Sequence, residues 1–161
     1  MQLETVAVIG GGAWGTALAQ AAVMAGRTTR LVVRRADQAE AINRDHINAR
    51  ALPGQSLLPG VLATDRLELA DIVILAVPAQ STRTLLSGLD PVLLAGRPVV
   101  LSAKGLETGT LARQSEILLD MAPDAVPYVL SGPSFAADLA AGRPTAVTLA
   151  GDDASDTSDL A

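Results

Sequence analysis

Apolar positions along the chain fall into short β-rich blocks separated by Ala- or Leu-rich stretches of helical length. Thr5–Ile9 is β-branched and stops at three consecutive glycines, and Trp14 to Ala25 is Ala-rich without a breaker before Gly26. This predicts a strand, a glycine turn and a helix closed by a glycine C-cap. Arg30–Val33 predicts a second strand, and Asp37 opens a helix to about Arg44 before Leu52-Pro53-Gly54 and Leu58-Pro59-Gly60 impose a long irregular connection. Val61–Thr64 predicts a short third strand. Ile72–Val77 is a continuous apolar run closed by Pro78, the pattern of a central parallel strand covered on both faces. The alternation then repeats: helix Gln80–Leu86, strand Pro98–Ser102, helix Leu111–Met121, strand Val126–Leu130, helix Ser134–Ala141 and strand Thr145–Ala150. Strands and helices in strict alternation predict an α/β fold, a doubly wound, mainly parallel sheet with right-handed crossovers.

The length of 161 residues suits one domain, placed at residues 1–150. Residues 151–161 read as a polar tail or the start of a linker. No apolar stretch approaches the roughly 20 residues that span a bilayer, and the N-terminus lacks a basic n-region, so neither a membrane span nor a signal peptide is expected and the cytoplasm is the default location. The absence of Cys excludes disulfides, thiolate metal sites and a Cys nucleophile, and a lone His46 excludes His-pair chemistry. No metal site is expected. The net charge of −5 is misleading, because Asp152, Asp153, Asp156 and Asp159 sit in the tail and leave the first 150 residues with twelve bases against thirteen acids. That body, with Trp14, Tyr128 and Phe135 as its only aromatics, offers no basic stacking face for nucleic acid.

Gly10-Gly11-Gly12-Ala13-Trp14-Gly15 contains Gly-x-Gly-x-x-Gly between a strand and a helix. In that context Gly10 turns the chain, Gly12 admits a pyrophosphate and Gly15 packs helix on strand, the fingerprint of a Rossmann-type dinucleotide site. The phosphates would sit at the helix N-terminus. Where an acidic residue would hold the ribose hydroxyl of NAD, the second strand ends at Arg34-Arg35, which favours the 2′-phosphate of NADP(H), with NAD(H) still possible. The crevice beyond the strand ends should also receive Val77–Gln80, Ser102–Gly105 and Ser131–Ala136. Lys104, the only lysine among twelve basic residues, would meet a phosphate or carboxylate there. The Ser131–Ala136 loop, rich in hydroxyls and N–H groups, suits a second anion; without Gly-x-Ser-x-Gly and a His partner it is no nucleophile elbow.

With these residues assembled, the chain resembles the N-terminal half of the bacterial NAD(P)-dependent glycerol-3-phosphate dehydrogenases. The shared features are Ile9–Ala19, Asn48 followed by Leu52-Pro53, Ala76–Gln80, Lys104–Glu107 and Ser131–Ala136. The Ser131–Ala136 loop and Lys104-Gly105 argue against relatives such as 6-phosphogluconate or hydroxyacyl dehydrogenases, which share the opening glycines. The resemblance implies interconversion of dihydroxyacetone phosphate and sn-glycerol 3-phosphate with NAD(P)H, feeding glycerophospholipid synthesis. It puts Ala13, Trp14 and Ala136 at the cofactor, Arg34 and Arg35 at the adenosine 2′-phosphate, Lys104 at both cofactor and substrate, and Gly132 and Ser134 at the substrate. Ala51 departs from the aromatic residue that many members carry before Leu-Pro. The family adds an all-helical C-terminal domain that supplies a catalytic lysine and further phosphate ligands, so the general base is expected beyond Ala161, the chain alone is expected to be inactive, and a homodimer is possible for the full-length protein. A self-contained nucleotide-sensing module is the alternative reading.

Overall fold

The computed structural model describes residues 3–153, 157, 158 and 160. Among them, seven strands form one sheet: β1 (Thr5–Ile9), β2 (Thr28–Val32), β3 (Val61–Thr64), β4 (Ile72–Leu75), β5 (Pro98–Leu101), β6 (Val126–Ser131) and β7 (Thr148–Ala150). Their spatial order is β3-β2-β1-β4-β5-β6-β7, parallel throughout except for the β6–β7 pair. The order reverses between β1 and β4, so the crevice of an open α/β sheet is expected at the C-terminal ends of those two strands.

The helices are α1 (Ala13–Met24), α2 (Ala36–Asp45), α3 (Thr82–Ser87), α4 (Gln114–Met121) and α5 (Ala136–Ala140). Successive strand residues alternate between two cores, as the pleat requires. Val8, Leu31 and Ile74 face Leu18 of α1 and Ile42 of α2, whereas Ile9, Val73 and Leu101 face Leu86 of α3 and Ile117 and Leu118 of α4. A third, small cluster joins Ala17 of α1 to Ala140 of α5 and Leu52, with Ala13 and Ala136 at its edge. Alanines at this contact let α5 lie closely on α1.

The elements fall where the sequence puts them, with two instructive differences. α1 ends as the Gly26 signal predicts: Gly26 takes φ 78°, its N–H donates to the Val23 carbonyl and that of Arg27 to Ala22, a paired closure of the last turn. The helix expected from Leu111 begins instead at Gln114, because Leu111 adopts φ 59° in a turn closed by its N–H to the Glu107 carbonyl. Glu116 then reaches back to the Arg113 N–H at 2.7 Å and caps the helix start.

The second difference lies in the last strand. Strict alternation predicts a parallel β7, yet it runs antiparallel to β6. The intervening helix α5 has five residues rather than the eight expected. It rises only about 7.5 Å, whereas β6 extends about 20 Å, so it cannot carry the chain back along the sheet. It packs on α1 instead, and β7 enters from the C-terminal end. Of the acidic tail, Asp156 and Asp159 lie outside the described residues.

Candidate functional site

The glycine turn sits at the β1–β4 switch point. The Gly10 N–H donates to the Val32 carbonyl and the Ala76 N–H to the Ile9 carbonyl, stitching together the ends of three strands. Gly10 has φ 128°, and a Cβ there would lie 2.4 Å from the Ala76 carbonyl oxygen. A Cβ on Gly15 would lie 2.0 Å from the Gly10 oxygen and 3.1 Å from the Ala76 Cβ, so this glycine is what allows α1 to lie against the turn. Gly12 differs: a Cβ there would meet nothing within 4 Å. It is the N-cap of α1, with no side-chain cap and no acidic residue in the first turn. The helix therefore presents open N–H groups and its positive end to free space, which fits a bound pyrophosphate.

That space is a crevice of about 460 Å³. Gly12, Ala13 and Trp14 line it on one side, Ala76–Pro78 and Ser102 form its floor, and Lys104, Gly132, Ser134 and Ala136 close the other. Seven predicted site residues thus converge on one cavity, and Gly10 and Gly15 support it from beneath. Phe135 stands at its rim, 75% exposed.

Arg34 and Arg35 lie outside this lining, exposed beyond the end of β2. They are not equivalent. Arg35 precedes α2 and its Nε donates to the Asp37 carboxylate at 2.9 Å, which holds that carboxyl below its ordinary range. No ion pair involves Arg34 among the described residues, so its guanidinium is free for an incoming anion.

Lys104 follows β5, and its Nζ donates to the Gly132 carbonyl at 3.2 Å. Its loop is braced from three directions. Gln114 Nε2 donates to the carbonyl of Gly105, which has φ 116°, while the buried Thr82 hydroxyl donates to Gln114 Oε1. Gln80 donates to the Leu106 carbonyl and accepts from the Thr108 N–H, each at 2.8 Å. Arg83 forks onto Glu107 at 2.8 and 3.1 Å and also reaches Asp120; the Glu107 carboxyl is held below its usual range and the guanidinium firmly protonated. The Ser134 hydroxyl donates to the Ala146 carbonyl at 2.8 Å, so its proton is engaged within the protein. Gly132 is required there, since a Cβ would fall 2.6 Å from that same oxygen. With α5 so short, the loop's capacity for an anion rests on its own N–H groups and Lys104 rather than on a helix dipole. Among the described residues no three His, Cys, Asp or Glu side chains group as metal ligands, and no helix is long and apolar enough to cross a membrane.

The family model for the N-terminus of NAD-dependent glycerol-3-phosphate dehydrogenase matches residues 5–157. The chain belongs to this family. It is 48% identical over 152 residues to glycerol-3-phosphate dehydrogenase (NAD(P)+) of Rhodospirillum rubrum, a match covering 92% of this chain and 44% of the relative. It is likewise 48% identical over 161 residues to the enzyme of that name from Chelativorans, covering 98% and 49%. The chain thus spans about half the length of the curated relatives it matches. Among solved structures, the glycerol-3-phosphate dehydrogenase of Coxiella burnetii superposes with a TM-score of 0.88 at 28% identity, over 98% of this chain and 49% of that one. The Plasmodium falciparum glycerol-3-phosphate dehydrogenase shares the fold at a TM-score of 0.86 and 21% identity, over 98% and 48%.

The matched residues 5–157 include the glycine turn and every residue that lines the crevice. Sequence reasoning assigned no role to Thr16, Asn48, Gln80, Thr82 or Gln114, the polar side chains that hold the turn and the Lys104 loop. The available signal was a hydroxyl at position 16 in an otherwise Ala-rich helix, which buries it completely.

Proposed function

We propose that this chain is the cofactor-binding half of an oxidoreductase that interconverts dihydroxyacetone phosphate and sn-glycerol 3-phosphate, with NADP(H) favoured over NAD(H). The observation that carries the reading is the open N-terminus of α1 at Gly12, Ala13 and Trp14, facing the same cavity as Lys104 and the Gly132–Ser134 loop. In this assignment the N–H groups of the turn hold the pyrophosphate. Arg34, with no ion pair of its own, and Arg35, shared with Asp37, bind the adenosine 2′-phosphate. Ala136 lies against the cofactor. Lys104, with Gly132 and Ser134, holds the anionic substrate within reach of the nicotinamide, which supplies the hydride when bound.

Ketone reduction also requires a proton at the forming alkoxide. Lys104 is the chain's only lysine and serves here as a binding charge, its Nζ on the Gly132 carbonyl. Proton delivery is therefore assigned to the part of the relatives' length that this chain does not span, together with the remaining phosphate ligands and any homodimer contact. The cytoplasm and glycerophospholipid synthesis are the setting that this activity suits.

Equilibrium dialysis of the 161-residue chain tests the assignment. The expected result is retention of one NADPH per chain, no oxidation of it when dihydroxyacetone phosphate is added, and a weak saturable uptake of that phosphate which Lys104→Met abolishes. Failure to retain NADPH would overturn the cofactor reading, and phosphate uptake indifferent to Lys104→Met would overturn the substrate assignment.

A further inference from the structure

The long connection between α2 and β3 carries Asn48, which is 2% exposed and reaches across to the glycine turn. Its Nδ2 donates both to the Gly11 carbonyl at 3.0 Å and to the Thr16 hydroxyl at 2.8 Å. Thr16 is fully buried and passes its own proton to the Gly12 carbonyl at 2.8 Å. The Gly11 carbonyl is thus held inward by the Asn48 amide, while the Gly12 carbonyl is fixed by the first turn of α1, accepting the Thr16 N–H at 3.0 Å as well as the Thr16 hydroxyl. The Asn48 main chain is fixed in turn, since its carbonyl accepts from the N–H groups of Ala51 and Leu52, and Leu52 is seated against Ala17 and Ala140.

We infer that Asn48, steadied by the Thr16 hydroxyl, is a positioning residue for nucleotide binding: by drawing the Gly11 carbonyl into the protein, it keeps that partial negative charge away from an anion and leaves the N–H groups of the turn facing the crevice. The inference rests on the nucleotide reading proposed above. Its physical basis is that a nest of N–H groups attracts an anion only while the adjoining carbonyls point elsewhere. A buried, fully donated relay fixes that orientation more firmly than solvent could. Neither side chain lines the crevice, so each acts through the turn and not by contact with the ligand.

The test compares two ligands on the 161-residue chain, each followed by equilibrium dialysis. NADPH engages the turn through its pyrophosphate; adenosine 2′-phosphate has none and engages only the arginine end of the site. Asn48→Ala is expected to weaken NADPH about tenfold, the worth of one or two hydrogen bonds, while leaving adenosine 2′-phosphate within about twofold, a difference of less than 0.5 kcal/mol. Thr16→Val should reproduce that selective loss and Thr16→Ser, which keeps the hydroxyl, should restore binding. If Asn48→Ala melts below the assay temperature, the Thr16→Val and Thr16→Ser pair carries the same comparison. Equal weakening of both ligands would mean a general packing role and overturn the inference, as would unchanged NADPH affinity in a folded Asn48→Ala. A wild-type chain that binds adenosine 2′-phosphate but not NADPH would also overturn it, and binding of neither ligand would overturn the nucleotide reading itself.

Discussion

Alanine at Gly12 and alanine at Gly15 are the same chemical change three residues apart, and the structure predicts opposite consequences. Gly12 has φ −78° and ψ 178°, a conformation open to any residue, and its Cβ would enter empty space. In the free protein the gain from a less entropic unfolded chain, about 0.4–1 kcal/mol, is offset by the lower rank of alanine at an N-cap. The net change is close to zero, a shift in Tm of no more than about 2 °C. The added methyl instead occupies the place where the pyrophosphate must approach the helix N-terminus. Losing one charge-assisted hydrogen bond costs about 1.5–3 kcal/mol, a factor of roughly ten to a hundred in Kd for NADPH. At Gly15 the Cβ would lie 2.0 Å from the Gly10 oxygen, and the obstacle is backbone, so α1 must move off the turn. Overpacking of this kind costs about 1–3 kcal/mol, a loss of roughly 2–12 °C in Tm for a domain of this size. Thermal melts and NADPH titrations of both variants decide the matter. Should Gly12→Ala melt as early as Gly15→Ala while binding nucleotide normally, the turn would be a packing device and the reasoning would fail.

Two further outcomes follow from the charged groups. Asp37→Asn releases Arg35 from its 2.9 Å ion pair and should raise the NADPH-to-NADH affinity ratio about two- to fivefold, an effect that shrinks with added salt; an unchanged ratio would remove Arg35 from the 2′-phosphate site. Asp71 accepts from the Thr5 hydroxyl and from the Thr5 and Glu4 N–H groups, with the hydroxyl contributing most to holding its carboxyl below the ordinary range. A depressed carboxyl stabilises the fold above its unfolded-state pKa, and that contribution is lost as pH falls through the folded-state value. Melts should therefore show wild type more stable than Asp71→Asn at neutral pH, with the gap closing below about pH 4; a gap that persists in acid would assign the effect to shape rather than charge.

What could be read from the sequence was local. Strands that end at glycine or proline, such as those before Gly10 and Pro78, are placed by the sequence to within a residue or two, and the doubly wound, mainly parallel sheet follows from alternation. β7 was misjudged in direction because its direction depends on the length of α5, and the Ser134–Ala141 pattern suggested a longer helix than the five residues that pack on α1. The clustering of Gly12, Lys104 and Ser134 was legible because all three follow strand ends. The relay from Asn48 was not, since it joins positions 37 and 32 residues apart, and no periodicity reports a non-local hydrogen bond. The Arg35–Asp37 pair spans only two residues and was within reach, but a pattern of two arginines at a strand end reads as two equal ligands until the geometry separates them.

In the proposed assignment the glycine turn and the arginine pair together make an NADP-type site. Trp14 is the only tryptophan and lines the crevice, so its emission reports directly on occupancy. Titration of the chain with NADPH and NADH at fixed salt should give saturable quenching that favours NADPH by at least about tenfold, or 1.4 kcal/mol, with the preference lost in Arg34→Ala. Equal affinity for the two nucleotides, or a preference that survives Arg34→Ala, would contradict the account.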